Sequence, residues 1–502
     1  MNPDLIEGIH SASTLTKDVV LDCDVCIIGS GAGGGVLAEG LVAAGLDVIM
    51  LEAGPHRPRA ERSTKEQVAY PDLYQDRGAR STADGAITVL QGRATGGSTL
   101  VNWTTCFRTP QRIQDNWAEV HGVELGDLDP HFEAVEERLG ITEWPMQNAN
   151  NDVLKRGCDG LGWQWSRLKR NVRGCANSGY CGLGCPFGVK QDQLVTSLTS
   201  AVNGGMRLLA DCRADRLVVR NGEVEAVEAS ALHDGINRET GVRVTVRAHR
   251  TVVSGGAINS PALLLRSGIE GDGHVGRRTM LHPVVALPAL HPEPIHGWAG
   301  APQSIGSHQF AEREGVGFFL ECPPLQPMLA GSGLFSWGVG QSEFMKELPN
   351  VSSLLAILTD GLRTQGGVVT VRRDGRPALE YPTGPALVEG MRAAHDAMAR
   401  IQLAAGAELA LTLHKEPIQV RSEADLPALA AASYGAFETS IFTAHQMGGC
   451  SFGTVVGTDH RVHGFERLFV VDGSVLPTGL GVNPSETIYA LAHRARAHVL
   501  EA

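Results

Sequence analysis

The sequence is short of positive charge. Lys and Arg number 43 against 55 Asp and Glu, which is 43 − 55 = −12 over 502 residues. Most of such a surface repels a phosphate backbone, so nucleic acid is not expected as a partner. No uninterrupted apolar stretch approaches the ~20 residues of a spanning helix, and no transmembrane segment is expected. The stretch "MNPDLIEGIHSASTLTKDVV" has no basic run followed by an apolar one and no twin arginine, so it does not read as a secretory leader. A soluble, cytoplasmic protein is the expectation. There is no internal repeat, no heptad pattern and no low-complexity linker. Ten cysteines scattered through this length are too sparse for a disulfide scaffold.

Glycine, by contrast, is plentiful, at 61 residues, which points to many tight turns or to backbone brought close to a ligand. "DVCIIGSGAGGGVLAEGLVAAGLDVIMLEAG" reads as strand, turn, helix, strand. Val25 to Ile28 is a buried-type strand, and Gly29, Gly31 and Gly34 form GxGxxG. The first glycine permits the tight turn and the second lets a pyrophosphate approach the backbone. The third lets the helix lie close on the strand. The helix N-terminus offers free N–H groups to the phosphates. Val48 to Leu51 forms the next strand, and Glu52 follows it, about 20 residues after the turn, where an acid can bind both ribose hydroxyls. FAD and NAD both use this device, so the unit alone leaves the dinucleotide open.

Three further stretches carry a family resemblance. "GRATGGSTLVN" (92–102) looks like the first signature of the glucose–methanol–choline oxidoreductases, and "GAINSPALLLRSGI" (256–269) is similar to the second, with Glu270 where the family has Gly. The block from His445 to Ala492, containing "RLFVVDGSVLPTGLGVNPSETIYALA", resembles the family's C-terminal part. The resemblance implies FAD, with Arg93, Gly96, Gly97, Ser98, Asn102 and Pro484 around it. Gly96 and Gly97 remove side chains where a flat isoalloxazine would need close backbone contact. Asp472 and Gly473 end an apolar strand, placing a carboxylate for ribityl hydroxyls. The implied fold class is α/β: a Rossmann-like FAD-binding domain from 20–110, 205–283 and 436–502, with an inserted sheet-plus-helices substrate domain from 111–204 and 284–435. Within the latter, 366–382 alternates about a turn at Asp374-Gly375, and 384–407 reads as one helix.

The same resemblance implies oxidation of a primary or secondary alcohol, with hydride passing to flavin N5. A proton acceptor with a pKa near working pH suits histidine. The family's roles fall on His445 and Asn483. Against Asn483 stands a helix start, "NPSE", with Asn as N-cap, Pro484 in the first turn and Glu486 as a capping partner. His282 matches a position that supports the fold near the flavin; His460 and His463 read as a solvated turn. A hydroxynitrile lyase-like reaction, using the same His and a non-redox FAD, is the alternative.

Cys175, Cys181 and Cys185 share one glycine-rich loop, 174–191, with spacing C-x5-C-x3-C. Three thiolates so spaced are a ligand set for an iron–sulfur cluster, and the spacing resembles the [3Fe–4S] loop of family sugar dehydrogenases, implying an electron-acceptor protein. "GVKQ" after the third Cys is instead similar to long-chain alcohol oxidases. A cluster, inert or disulfide-bonded thiols, and zinc all remain open from the sequence. The apolar stretch 316–340, with Phe318, Phe319, Leu334, Phe335 and Trp337, reads as core, as the mouth for a bulky apolar alcohol, or as a surface peripheral to a membrane.

Overall fold

The computed structural model describes residues 8–335 and 338–502, so Trp337 lies outside the described residues. The expected strand–turn–helix–strand unit forms as Val19–Ile28, Ala32–Ala43 and Val48–Leu51. These strands pair in parallel, Val25 opposite Val48 and Ile28 opposite Leu51. Glu239–Val253 lies on the other side of Val19–Ile28, also parallel, and carries Leu468–Val470 on its far flank. Gly8–Ser11 and Arg207–Ala210 extend the eight-stranded sheet at one edge, and two antiparallel strands, Glu223–Leu232 and Cys212–Arg220, extend it at the other. The parallel strands Val19–Ile28, Val48–Leu51, Glu239–Val253 and Leu468–Val470 end along one edge, where open parallel sheets take their ligands.

A nine-stranded sheet faces that edge. Val351–Leu358 is buried along its whole length and pairs antiparallel with Val284–Leu290 and Phe318–Glu321. Side chains alternate across a strand. Leu354, Ala356 and Leu358 share a core with Leu387, Met391, Ala394 and Met398 of the long helix Pro385–Ala404. Leu355 and Ile357 point the other way and cluster with Val284, Trp103 and Phe442. A sheet buried on both faces has no need of polar alternation, and Leu354 to Leu358 is accordingly an unbroken apolar run. The hairpin expected around Asp374-Gly375 forms as Gly367–Val371 and Pro377–Glu380, with Gly375 at φ +81°.

Packing groups two stretches of the proposed substrate unit with the first sheet. Helices Gln111–His121, Asp129–Leu139 and Ser197–Asn203 place Ile113, Trp117, Phe132 and Leu198 in the same core as Val25 and Ile49. His460, expected in a solvated turn, is instead fully buried, its Nδ1 3.0 Å from the Val470 carbonyl. Apolar stretch 316–340 divides. Phe318 and Phe319 are fully buried, whereas Phe335 is 36% exposed.

The third glycine of the turn is a sharp test of this packing. A Cβ on Gly34 would lie 2.1 Å from the Gly29 carbonyl oxygen. Replacing a helical glycine by alanine normally gains about 1 kcal/mol. Here Gly34→Ala is expected to lose about 1–3 kcal/mol through forced backbone displacement. Urea midpoints decide the sign, and a stabilised variant would refute the contact.

Candidate active site

Between the two sheets lies one large cavity of about 920 Å³. At one end it is bounded by bare backbone. Gly31 and Gly97 come so close that a Cβ on Gly97 would sit 2.7 Å from the Gly31 Cα. Gly96 and Gly97 have φ of +99° and +57°, conformations that favour glycine. Helix Ala32–Ala43 starts at Gly31 with no side-chain cap, so its first N–H groups are left for a ligand. Gly29, Gly31, Glu52, Arg93, Ser98 and Asn102 line the cavity; so do Asp472, Gly473, Asn483 and Pro484. Gly34 and Gly96 shape the wall from behind.

Several of these groups also bind one another. Glu52 accepts from Ser30 N (3.0 Å), Ser30 Oγ (2.6 Å) and Gly54 N (2.7 Å), while burial raises its pKa. Asp472 accepts from Gly256 N and Ser474 N, both at 2.8 Å, and so ties the 254–260 loop to the end of its own strand. Arg93 donates to the Ala53 carbonyl at 2.7 Å. Asn102 Oδ1 and Thr95 Oγ1 are buried with no partner. Uncapped N–H groups, a side-chain-free cradle and orphaned buried acceptors fit a dinucleotide flavin, FAD. These three bonds leave Glu52 one acceptor site free, on Oε1.

The other end holds the expected pair. Strand Ile441–Thr443 pairs with Val284 and with Ile87–Val89, and His445 follows it. The His445 N–H donates to Thr443 Oγ1 at 3.1 Å. His445 Nε2 lies 3.4 Å from Asn483 Nδ2. Burial draws the His445 imidazole down to about 4, which leaves it neutral and able to accept a proton at neutral pH. His282 lies edge-on, ring centroids 5.5 Å apart, its Nε2 held by the backbone N–H groups of Leu480 and Gly481.

The competing role for Asn483 is absent. Helix Ser485–Glu501 has Pro484 at its N-cap and no side-chain cap bond. Glu486 is buried rather than turned back as a capping partner, and Asn483 Oδ1 is buried without a partner. The amide is therefore available to the cavity. Sequence reasoning missed what lies behind it. Thr105, Gln303 and Glu321 form a buried chain that ends on Asn483. A lone acid in the apolar run "VGFFLEC" was the only available signal.

The cysteine loop gives the cluster no support. Its three thiols are free. Among the described residues no group of three or more His, Cys, Asp or Glu is placed to hold a metal ion. Cys175 packs among Trp144, Val172 and Ala301. Cys181 is buried and receives a hydrogen bond from Arg170 Nη2 at 3.3 Å. Gly179 and Gly184 take positive φ for close packing, with a Gly184 Cβ only 2.8 Å from Leu73. Lys190, fully buried, donates to the carbonyls of Asn102 (2.8 Å) and Cys181 (3.1 Å), fastening the loop to the cavity wall. The loop acts as a buttress for the cavity wall. Iron analysis of anaerobically purified protein is expected to find no stoichiometric iron; about three irons per flavin, the content of such a cluster, would reverse this.

Comparison with known proteins agrees with the cavity. Residues 70–284 and 364–492 match the model of the GMC oxidoreductases. A long-chain-alcohol oxidase of Arabidopsis thaliana is 30% identical over 529 aligned residues, covering 99% of this chain and 70% of that protein. An uncharacterized GMC-type oxidoreductase of Mycobacterium tuberculosis strain H37Rv is 31% identical over 94% of this chain and 75% of its own length. Pyridoxine 4-oxidase from Mesorbium loti superposes with a TM-score of 0.70 at 19% identity, covering 96% of this chain and 99% of that one. An Aspergillus oryzae formate oxidase gives 0.72 at 14% identity, covering 97% and 99%. The chain belongs to the GMC oxidoreductases, FAD-dependent enzymes that act on CH–OH groups.

Proposed function

We propose that this protein oxidises an uncharged, largely apolar primary or secondary alcohol to the carbonyl, with His445 and Asn483 as the residues that handle the substrate oxygen. The observation that carries the reading is the pair itself: a neutral imidazole and an amide whose oxygen has no partner, 3.4 Å apart, both on the wall of the FAD cavity. FAD, when bound, supplies the acceptor for the hydride that leaves the carbinol carbon. The neutral His445 imidazole takes the hydroxyl proton, and an amide hydrogen of Asn483 steadies the oxygen as it gains charge. Gly29, Gly31 and Gly97, with Glu52, Arg93, Ser98, Asn102, Asp472, Gly473 and Pro484, hold the cofactor. Gly34 and Gly96 permit the packing this requires.

Val284, Leu355, Ile357 and Phe442 line the wall beside His445, which supports an apolar chain next to the reacting carbon. The Arabidopsis relative's action on long-chain alcohols points the same way. Among the described residues no helix is long and apolar enough to cross a membrane.

A panel of alcohols added to the oxidised protein under nitrogen tests the reading. Bleaching of the yellow flavin by long-chain primary alcohols is expected. Carbonyl release from a cyanohydrin without bleaching would favour the lyase.

His445→Ala is expected to slow anaerobic flavin reduction by roughly 10²- to 10⁴-fold with the flavin retained. Near-native reduction would remove His445 from the chemistry. Because Asn483 caps no helix, Asn483→Ala is expected to slow reduction while melting within a few degrees of native. A drop in melting temperature with unchanged reduction would restore the structural role.

The pH profile gives a further check. The acceptor must be unprotonated, so kcat/KM falls as pH drops through the His445 pKa. Burial places that acid limb well below the 6.5 of a free imidazole, toward about 4. A profile with no further fall below 6.5 would contradict the assignment.

A further inference from the structure

One buried acid beside the proposed pair has no role in the chemistry so far. Glu321 ends the strand Phe318–Glu321 and is fully buried. A carboxyl in an apolar sheet has lost its hydration and depends on whatever donors surround it. Its Oε2 accepts from Gln303 Nε2 at 2.6 Å and from Asn483 Nδ2 at 3.4 Å. The Gln303 amide is fixed from its other end, because Thr105 Oγ1 donates to its Oε1 at 2.7 Å. In this arrangement Gln303 donates to Glu321. Glu321 Oε1 has no hydrogen-bond partner, and neither has Asn483 Oδ1. Among these contacts, only Glu321 and His445 can tell the Asn483 amide which way round to sit.

We propose that Glu321 is a positioning residue whose protonation state sets which end of the Asn483 amide faces His445 and the substrate oxygen. The proposal rests on the reading of Asn483 as the partner of that oxygen. As a carboxylate, Glu321 only accepts. It then draws Asn483 Nδ2 and leaves the second amide hydrogen for the substrate. As a neutral acid its hydroxyl donates, and the natural acceptor is Asn483 Oδ1. The amide turns over and presents a carbonyl lone pair to an oxygen that is gaining negative charge. That arrangement opposes the reaction, whereas the donor arrangement favours it.

Both forms lie within reach of ordinary pH. Burial pushes Glu321 up to about 8, opposed by its bond to Asn483 and by the Arg170 guanidinium. The other titratable groups around it are the Cys322 thiol, which burial pushes up, and His445, which burial pulls down; both are neutral at this pH. Activity should therefore rise, with the ionised form, as pH increases through the Glu321 pKa.

The test uses the holoenzyme and two readouts. One is the absorption of the oxidised flavin against pH, which needs no substrate. The other is kcat and KM for a straight-chain primary alcohol against pH. In the native protein both curves are expected to move through one ionisation near pH 8, with the effect in kcat rather than KM. Glu321→Gln keeps the shape but cannot ionise. It is expected to lose that ionisation from both curves and to hold kcat about tenfold below the native alkaline plateau, the rate equivalent of one hydrogen bond. Gln303→Met removes a donor to the carboxylate and is expected to move the ionisation upward. Persistence of the ionisation in Glu321→Gln overturns the proposal, and so does a native protein flat in both curves. Should Glu321→Gln fail to retain flavin, Gln303→Met decides alone, and an unmoved ionisation overturns the proposal. Failure of every alcohol to reduce the flavin counts against the functional reading instead, and the substrate-free titration still decides the role of Glu321.

Discussion

The architecture depends on main chain meeting main chain without side chains between. A Cβ on Gly29 would lie 2.3 Å from the Ser254 carbonyl oxygen, one on Gly33 only 1.8 Å from that of Val471, and one on Gly54 only 2.3 Å from Ala94 N. The Ser254 and Val471 segments thus converge on the first glycine turn as bare backbone, and the Gly54 and Ala94 segments meet each other in the same way. Any side chain at these points would push a segment outward and open the cavity floor. The parallel register of Val19–Ile28 with Val48–Leu51 and Glu239–Val253 aligns the strand ends, but the glycines let the loops beyond them close up.

The second constraint is polar satisfaction in a dry wall. Leu355 and Ile357 make the inner face of the nine-stranded sheet apolar, and into it are set Thr105, Gln303, Glu321, Asn483 and His445. Groups of this kind are costly to bury unpaired and strongly directional when paired. The chain of contacts is complete except at Asn483 Oδ1 and Glu321 Oε1. Those gaps sit where a reacting molecule and a mobile proton would be accommodated. Burial accounts for the neutral His445 and the reluctant acid at Glu321 alike, since low polarity disfavours charge of either sign.

Much of this was legible in the sequence because local rules coincide with the global fold at those places. The GxGxxG turn, the strand before it and Glu52 after it follow from short-range geometry, and Val48–Leu51 lies where the apolar run placed it. The long helix with Leu387, Met391, Ala394 and Met398 follows from its period. The choice between capping and catalysis at Asn483 was not legible, since it turns on one orphaned oxygen. His460 looked solvated because turn residues usually are, yet the strand Leu468–Val470 lies against it and gives it a carbonyl. The cysteine loop was ambiguous for a related reason. Thiol spacing along a chain says nothing about where each sulfur points, and here Arg170 and a pocket around Trp144 claim two of the three. Glu321 was hidden by its strand, since an apolar run predicts burial and not what its one acid will touch.

The order of the strands in space has a consequence for biogenesis. Val19–Ile28 leaves the ribosome early, but its neighbour Glu239–Val253 comes much later, and the flanking Leu468–Val470 later still. Until that last strand docks, Val471 cannot close over Gly33, and the edge of Glu239–Val253 stands open as an unpaired template. The nascent chain therefore carries a sticky, half-built nucleotide floor through most of its synthesis. Closure of the nucleotide floor is therefore a late event in the making of this chain.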